Sequence, residues 1–359
     1  MTKYRIAVLP GDGIGEEVIR EGLKVLEAAA EEYGFDFETK LFPFGADHYL
    51  ATGETMPESV FTEFLDFNAV YMGAIGDPRV ETGLLEHAII GGTRFKLDLY
   101  INLRPVKLYA ERLCPLKGKQ PKDVDMVFVR ENTEDAYTRI GGIFKEGTAD
   151  EIAMATMIYT RKGCERAIRY AFDTARKRDR KKLLLIDKAN AIRAQDIWTR
   201  TFAEVAVEYP DVETDHAYID AACMWMLKNP EWFDVAVCPN IFGDIITDLG
   251  AMLQGGLGVA ASGNLHPGRV SMFEPIHGSA PKYRGQNVAN PIAAIMAASM
   301  MLDYLGQEAA TRKIERVVAH NIENETIPSL SAGALPTDEI GDLIAAGVRG
   351  PAAALERGA

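Results

Sequence analysis

YRIAVLPGDGIGEEVIREGLKVLEAAAEEY, residues 4–33, carries the signal that decides the fold class. Tyr4 to Leu9 is a compact β-prone run, GDGIG at Gly11 to Gly15 is a glycine-rich turn, and Glu16 to Tyr33 is a helical stretch whose apolar Val18, Leu23, Val25 and Leu26 recur near the helical period. Outward from this strand, turn and helix the order recurs. Ala69–Met72, Met126–Val129, Lys182–Ile186 and Phe233–Val237 read as strands with helical stretches between them. Strands alternating with helices imply an α/β fold with a largely parallel sheet covered on its faces. One stretch breaks the rhythm: Gly141–Thr160 (GGIFKEGTADEIAMATMIYT) sets turn residues between two β-prone runs and reads as a hairpin or projecting arm, able to pair with a second subunit. No fixed-period repeat or low-complexity tract is found, and the only linker-like segment is the small-residue tail after Gly350.

The chain has 359 residues, 47% of them hydrophobic, enough to bury a large core in one domain or two intertwined ones. Its formal net charge of -13 provides no global basic field, which argues against nucleic acid or an anionic membrane surface as partner. No stretch approaches the roughly 18 uninterrupted apolar residues of a membrane span, and the amino terminus lacks a signal-peptide pattern, so a cytoplasmic protein is expected. Cys114, Cys164, Cys223 and Cys238 are scattered without a CxxC pair and read as free thiols.

Several residues are candidates for chemistry. GDGIG lies between strand and helix, where it serves either as an anion cradle or as a tight structural turn; it lacks both the Lys-Ser/Thr of a P-loop and the GxGxxG of a dinucleotide fold. Arg94, Arg104 and Arg130 each stand near the end of an apolar stretch, and three guanidinium forks suit a substrate with two or three carboxylates. Asp244 and Asp248, four apart in NIFGDIITDLG, share one face of a helix, as hard ligands for Mg²⁺ or Mn²⁺ or as an ordinary acidic pair. Asp220 sits in the apolar run YIDAACMW, where burial without a cation would be costly; a third metal ligand would explain it. Lys188 closes the apolar strand LLLIDKAN, either as a base or as a solvated strand end, and Tyr137 in RENTEDAY is either a proton donor or a packed tyrosine. His277 lies in EPIHGSAPKY, a loop that either cradles an adenine or has no such role.

Taken together, LPGDGIG, TRFKLDLYINLRP, VRENTEDAY, DKAN, NIFGDIITDL and FEPIHGSAPKYRGQNVANP, in this order and nearly end to end, resemble the β-decarboxylating dehydrogenases: 3-isopropylmalate, isocitrate, homoisocitrate, and tartrate or D-malate dehydrogenases. The resemblance implies metal-dependent oxidative decarboxylation of a 3-substituted (2R)-malate, with hydride passing to NAD or NADP. Arg94, Arg104, Arg130, Ile90 and Asp220 would bind substrate, and Asp220, Asp244 and Asp248 would hold Mg²⁺ or Mn²⁺, one acid coming from the partner subunit. Lys188, acting across the subunit boundary, would help remove the hydroxyl proton, and Tyr137 would protonate carbon. Glu274, His277, Gly278, Ser279, Ala280, Lys282, Tyr283 and Asn290 match the family's cofactor loop. The implied fold is a two-domain, non-Rossmann α/β architecture. Residues 1–100 plus 255–359 form the cofactor-side domain, and 101–254 form the smaller domain with the dimer interface and, at about 141–160, an intersubunit β arm. A homodimer with shared active sites follows.

The chain also departs from its relatives' patterns. Isopropylmalate enzymes place leucines three and four residues before the first arginine, where this chain has Gly91 and Ile90. Isocitrate enzymes offer a serine and an asparagine there, and IIGGTR offers only Thr93. RENTED and the Cys114–Asp123 stretch (CPLKGKQPKD) resemble tartrate or D-malate enzymes, whereas FKLDLYINLRP resembles isopropylmalate enzymes of some bacteria. The ranking is 3-isopropylmalate, with its leucine-biosynthetic role, then tartrate or D-malate, then isocitrate or homoisocitrate. NAD-linked members carry an acid after HGSAP; here Lys282 and Tyr283 follow, which favours NADP, while Asp338 and Glu339 oppose a phosphate. A catalytically silent regulatory subunit is the reading from another class, and the intact Tyr137, Lys188 and three aspartates argue against it.

Overall fold

The computed structural model describes residues 2–351, so the tail after Gly350 lies almost wholly outside the described residues. The chain forms two compact units. One comprises the described residues up to Leu99, Lys107–Pro121 and those from Ala251 onward; the other comprises Tyr100–Val106 and Lys122–Gly250. The sequence reading leaves residues 107–121 in the middle segment, whereas here they pack with the first unit. Lys107 N donates to Gln254 Oε1 at 2.8 Å, the Arg112 guanidinium reaches the carbonyls of Ile322 and Ile327, and Leu113 packs against Gly255.

In the first unit the strands lie in the order Asp36–Leu41, Lys3–Gly11, Ala69–Ala74, Ser271–Pro275, Ala261–Leu265. The first four run parallel, and Ala261–Leu265 is antiparallel to its neighbour. The helix Gly15–Tyr33 buries Val18, Ile19, Val25 and Leu26 and stops at Gly34, whose left-handed φ of 71° only glycine adopts without cost. Each of those side chains contributes about 1.5–3 kcal/mol by leaving water. The helix Ile292–Tyr304 (IAAIMAASMMLDY) is apolar all round, as befits a helix buried on nearly every side. Tyr71, fully buried in the sheet, donates to Ala294 O at 2.7 Å. Its hydroxyl passes so close to Gly22 that a Cβ there would lie 1.8 Å away, which ties the two helices to one strand. A second apolar layer, including Phe42, Phe61, Phe64, Leu85 and Ile89, covers the other side, and Ile90 packs at its margin.

In the second unit the order is Ile101–Lys107, Asp125–Glu131, Val235–Cys238, Lys182–Asp187, Glu213–Tyr218. Val235–Cys238 is parallel to both its neighbours, with Cys238 opposite Arg130, and Lys182–Asp187 is parallel to Glu213–Tyr218. The helix Arg161–Arg176, capped by the Thr160 hydroxyl, buries Ala167, Ile168, Ala171 and Phe172. Phe172 stacks on Phe202 of the helix Asp196–Ala206. The strand expected from Phe233 begins only at Val235, because Phe233 N is held by Pro230 O and the buried Asp234 takes Arg178. Gly141–Phe144 and Ile152–Ala155 pair antiparallel as a separate two-stranded ribbon, exposed along its whole length. No helix among the described residues is long and apolar enough to cross a membrane.

Candidate active site

In open parallel sheets, side chains that follow the carboxyl ends of strands converge on a common edge. In the second unit, Arg130 stands one residue before the end of the strand Asp125–Glu131, Asn240 begins the helix after the next, and Lys188 follows Asp187 at the end of a third. Arg130 is 1% exposed, and such a charge is tolerable only when hydrogen-bonded. Its Nε donates to Asn240 Oδ1 at 2.9 Å, and its Nη1 pairs with Asp244. It reaches them because residue 243 is glycine: a Cβ there would stand 2.5 Å from Arg130 Cγ. Tyr137 donates its hydroxyl to the other oxygen of Asp244 at 2.7 Å, and the Arg130 guanidinium lies 5.2 Å from the tyrosine ring centre.

Arg104 completes this group. Its Nε donates to Asn102 Oδ1 at 2.7 Å, and its Nη1 donates to Thr247 Oγ1 at 3.1 Å and Asp248 Oδ1 at 3.2 Å. Its Nη2 stands 3.6 Å from Asp244. Two guanidinium groups and two carboxylates one helical turn apart thus neutralise one another, with a phenol hydrogen-bonded to one of the carboxylates. The arginines match a ligand's carboxylates, and the two aspartates are hard oxygen donors that suit Mg²⁺ or Mn²⁺. Asn102, Asn240, Thr247 and Gly243 escaped the sequence reading. Asn240, Gly243 and Thr247 lie inside NIFGDIITDL, and Asn102 lies in TRFKLDLYINLRP two residues before Arg104 on the same strand, but nothing local marks Thr247 as the partner of an arginine far along the chain.

Lys188 and Asp220 form a separate pair: Lys188 Nζ donates to Asp220 Oδ1, and this bond holds the Asp220 carboxyl below the usual carboxylate range. The burial inferred for Asp220 is corrected. It stands in the first turn of the helix Ile219–Lys228 with its side chain 67% exposed, because the helical period turns it away from its apolar neighbours. Among the described residues no three acidic, histidine or cysteine side chains converge on one metal position, so the three aspartates do not meet within one chain.

In the first unit the strand ends carry turns. Three amides of GDGIG are engaged by backbone carbonyls, as in a structural turn: Asp12 N donates to Ala74 O, Ile14 N to Ser279 O and Gly15 N to Asp12 O. The Asp12 carboxylate accepts from the amides of Ala46 and Gly76, and burial raises its proton affinity. Gly13, at φ 59°, lets the 277–280 loop rest on this turn; a Cβ there would lie 2.0 Å from Ser279 O. Ser279 Oγ donates to Gly76 O, and a cavity of about 280 Å³ opens beside them, lined by Gly76, Asp77, Thr82, Glu86, Gly278 and Ser279. His277 is half-buried, its Nδ1 lies 3.0 Å from Gly278 O, its Nε2 is closed off without a partner among the described residues, and burial lowers its pKa. Ala280 adopts a left-handed φ of 40°, after which Lys282 Nζ lies 4.6 Å from the Tyr283 ring centre.

Glu274 is buried in the strand before this loop, where it binds Arg94 Nη2 at 3.0 Å and accepts from Asn264 at 2.8 Å. Asn290 Oδ1 accepts from Ile292 N at the start of the buried helix, and its Nδ2 donates to Leu330 O. Asp338 is tied to Asn287 by two hydrogen bonds. Ile90 and Gly91 lie in a single π-turn, Glu86–Gly91, directly before the helix Gly92–Lys96 that carries Arg94. Such wide turns recur at functional sites.

Residues 5–344 match the model of the family described as isocitrate/isopropylmalate dehydrogenase. The chain belongs to this family. It is 46% identical over 344 residues to the 3-isopropylmalate dehydrogenase of Thermobifida fusca, covering 95% of this chain and 96% of that protein. It is 46% identical over 349 residues to that of Streptomyces coelicolor, covering 96% and 98%. Among solved structures, isocitrate dehydrogenase from Methylococcus capsulatus superposes with a TM-score of 0.86 at 34% identity, covering 97% of this chain and all of that one. TT0538 protein from Thermus thermophilus superposes at 0.85, also at 34% identity, covering 98% of this chain and 70% of that one. The chain is therefore a dehydrogenase of the decarboxylating isocitrate/isopropylmalate type, with the α/β fold that the sequence motifs imply. The family brings with it a divalent metal and a nicotinamide cofactor.

Proposed function

We propose that this chain catalyses the oxidative decarboxylation of a 3-substituted (2R)-malate, 3-isopropylmalate before others, with hydride transfer to a nicotinamide dinucleotide. The observation that carries this reading is the Arg104, Arg130, Tyr137, Asp244 and Asp248 cluster, in a chain 44–46% identical to proteins named 3-isopropylmalate dehydrogenase.

Arg94, Arg104 and Arg130 bind the malate carboxylates, exchanging their bonds to Glu274, Asp248 and Asp244 for bonds to substrate. Asp244 and Asp248, with Asp220 as the third, are the residues that would hold the metal. When bound, the cation supplies Lewis acidity at the C2 oxygen and the nicotinamide accepts the hydride. Lys188 takes the hydroxyl proton as C2 becomes a ketone, the C3 carboxylate leaves as CO₂, and Tyr137 delivers a proton to C3. Lys188 pairs with Asp220, apart from the Asp244 group, which supports the two serving the partner's site in a homodimer. Exposed Met224, Leu227, Ile245 and Met252 on the helices Ile219–Lys228 and Asn240–Leu253 fit a dimer surface. The ribbon 141–155 presents Ile143, Phe144, Ile152 and Met154 to solvent; a lone two-stranded ribbon is marginal in water, which supports its pairing with a partner's arm.

NADP is proposed over NAD. Lys282 rests on Tyr283 without an acid partner among the described residues, and Asn287 already engages Asp338. A tartrate or D-malate preference has one observation in its favour: position 91 is glycine, where an added Cβ would meet His87 Nδ1 at 3.3 Å and the Glu86 carbonyl at 3.8 Å, so the wall that leucine gives in relatives is absent. Initial rates of NADPH and NADH formation with 3-isopropylmalate, D-malate, tartrate and isocitrate, with Mn²⁺ and with chelator, decide among these. The highest kcat/KM for 3-isopropylmalate, lost with chelator, supports the reading; preference for D-malate or tartrate transfers it to that substrate class. Binding without turnover anywhere in the panel indicates a silent subunit.

A further inference from the structure

A line of partly buried hydrogen bonds in the second unit joins the turn that carries Tyr137 to the turn that carries Lys188. Lys188 N donates to Gln195 Oε1 at 2.6 Å, Gln195 Nε2 to the Tyr159 hydroxyl at 2.8 Å, and that hydroxyl to Asp135 Oδ1 at 2.9 Å. The Tyr159 hydroxyl also lies 3.4 Å from Met157 Sδ. All donors point the same way and end on a carboxylate, the arrangement in which each bond polarises the next. Burial keeps the Tyr159 phenol protonated, well above the ordinary tyrosine range.

Both ends of the line are fixed. Asp135 is wholly buried at a left-handed φ of 68°, a conformation an aspartate holds only when its surroundings determine it. Its Oδ2 accepts from Ile241 N at the start of the Asp244 helix, its N donates to Ile158 O, and its Oδ1 also accepts from Ala136 N. Asp135 therefore orients the short 3₁₀ turn Asp135–Thr138, and with it Tyr137, relative to Asp244. At the other end Gln195 is wholly buried and grips the backbone of Lys188, whose carbonyl in turn receives the amides of Ala191 and Ile192.

We infer that Tyr159 and Gln195 are positioning residues for the reaction, holding the Tyr137 and Lys188 turns in one register through Asp135; this rests on the reading of Tyr137 and Lys188 as the proton-transfer residues. Neither side chain is placed to touch substrate. Their effect falls on the placement of catalytic groups, and so on kcat rather than on substrate affinity.

The test compares Tyr159→Phe, Gln195→Met and the double variant in the full-length protein, with the thermal midpoint as a control for folding. Each single change interrupts the same line, so kcat is expected to fall about tenfold in each, with KM for the hydroxy acid within about twofold and the double variant no worse than either single one. Additive losses, about a hundredfold in the double variant, would mark two unrelated local effects and overturn the proposal. So would wild-type kcat in a folded Tyr159→Phe, or a rise in KM alone. If Tyr159→Phe does not fold, Gln195→Met carries the same kcat-against-KM test. Turnover that survives both Tyr137→Phe and Lys188→Met is a different result and overturns the catalytic reading beneath the proposal.

Discussion

At its strand ends the second unit gathers charged side chains, while the first gathers turns. Arg104, Arg130, Asp244, Asp248 and Tyr137 form a set in which every charge has an opposite beside it. GDGIG and the 277–280 loop, by contrast, are joined amide to carbonyl, with glycine where a side chain would collide. A side-chain site loses function when a functional group changes and keeps its fold. A backbone site loses its shape when any atom is added. Substitutions in the second unit should therefore reduce turnover with stability intact, and those in the first should reduce stability and nucleotide binding together.

The largest effect belongs to the proton-transfer residues. Lys188→Met and Tyr137→Phe should each lower kcat by about 10²–10⁴ while circular dichroism and the thermal midpoint stay near wild type, the range that general acid–base groups contribute. Loss of fold in either would erase the contrast between the units.

Glu131 is the exception within the second unit, a carboxyl whose role is structural. It is 1% exposed, accepts from Thr133 N, the Thr133 hydroxyl and Glu134 N, and burial pushes its pKa up to about 7. Because the folded value lies above the unfolded one, its contribution is fully present below the ordinary carboxylate range and is lost as pH rises through about 7. The loss is on the order of 3 kcal/mol. Unfolding measured between pH 5 and pH 8 should show stability falling toward the alkaline side, with a shallower slope in Glu131→Gln; equal slopes would contradict the assignment.

In the first unit, Gly13→Ala forces a side chain onto Ser279 O at a left-handed φ and should cost about 2 kcal/mol or more of stability, with a rise in KM for the nucleotide. An unchanged thermal midpoint would show that the turn is not shaped as described. The smallest effect is expected at Lys282, where Lys282→Glu should lower the NADP to NAD preference about tenfold, since a carboxylate suits a ribose hydroxyl and repels a phosphate. An unchanged ratio of kcat/KM values would remove Lys282 from the cofactor reading.

How much of this was legible in the sequence differs along the chain. Residues 4–33 announced strand, turn and helix because apolar period and glycine punctuation agree there. The strand Glu213–Tyr218 (ETDHAY) did not, since it is mostly exposed and carries no apolar alternation. Ala261–Leu265 and Ser271–Pro275 contain Gly, Asn and Pro, and are strands because the sheet flanks them. Asp220 was misjudged as buried because its apolar neighbours are adjacent in sequence but lie on other faces of its helix. The motifs named the charged residues of the site. Some of their partners, such as Thr247 for Arg104 and Gln195 for the Lys188 backbone, depend on how the chain folds back and leave no local pattern, whereas Asn102 stands two residues before Arg104 on one strand.

The most direct test of the central claim is to measure CO₂ release and reduced nicotinamide together from 3-isopropylmalate, with Mn²⁺, in the wild-type protein. One CO₂ for each NAD(P)H, both abolished by chelator, is the predicted result. Reduction of the nucleotide without CO₂, or no product from any 3-substituted malate, would contradict it.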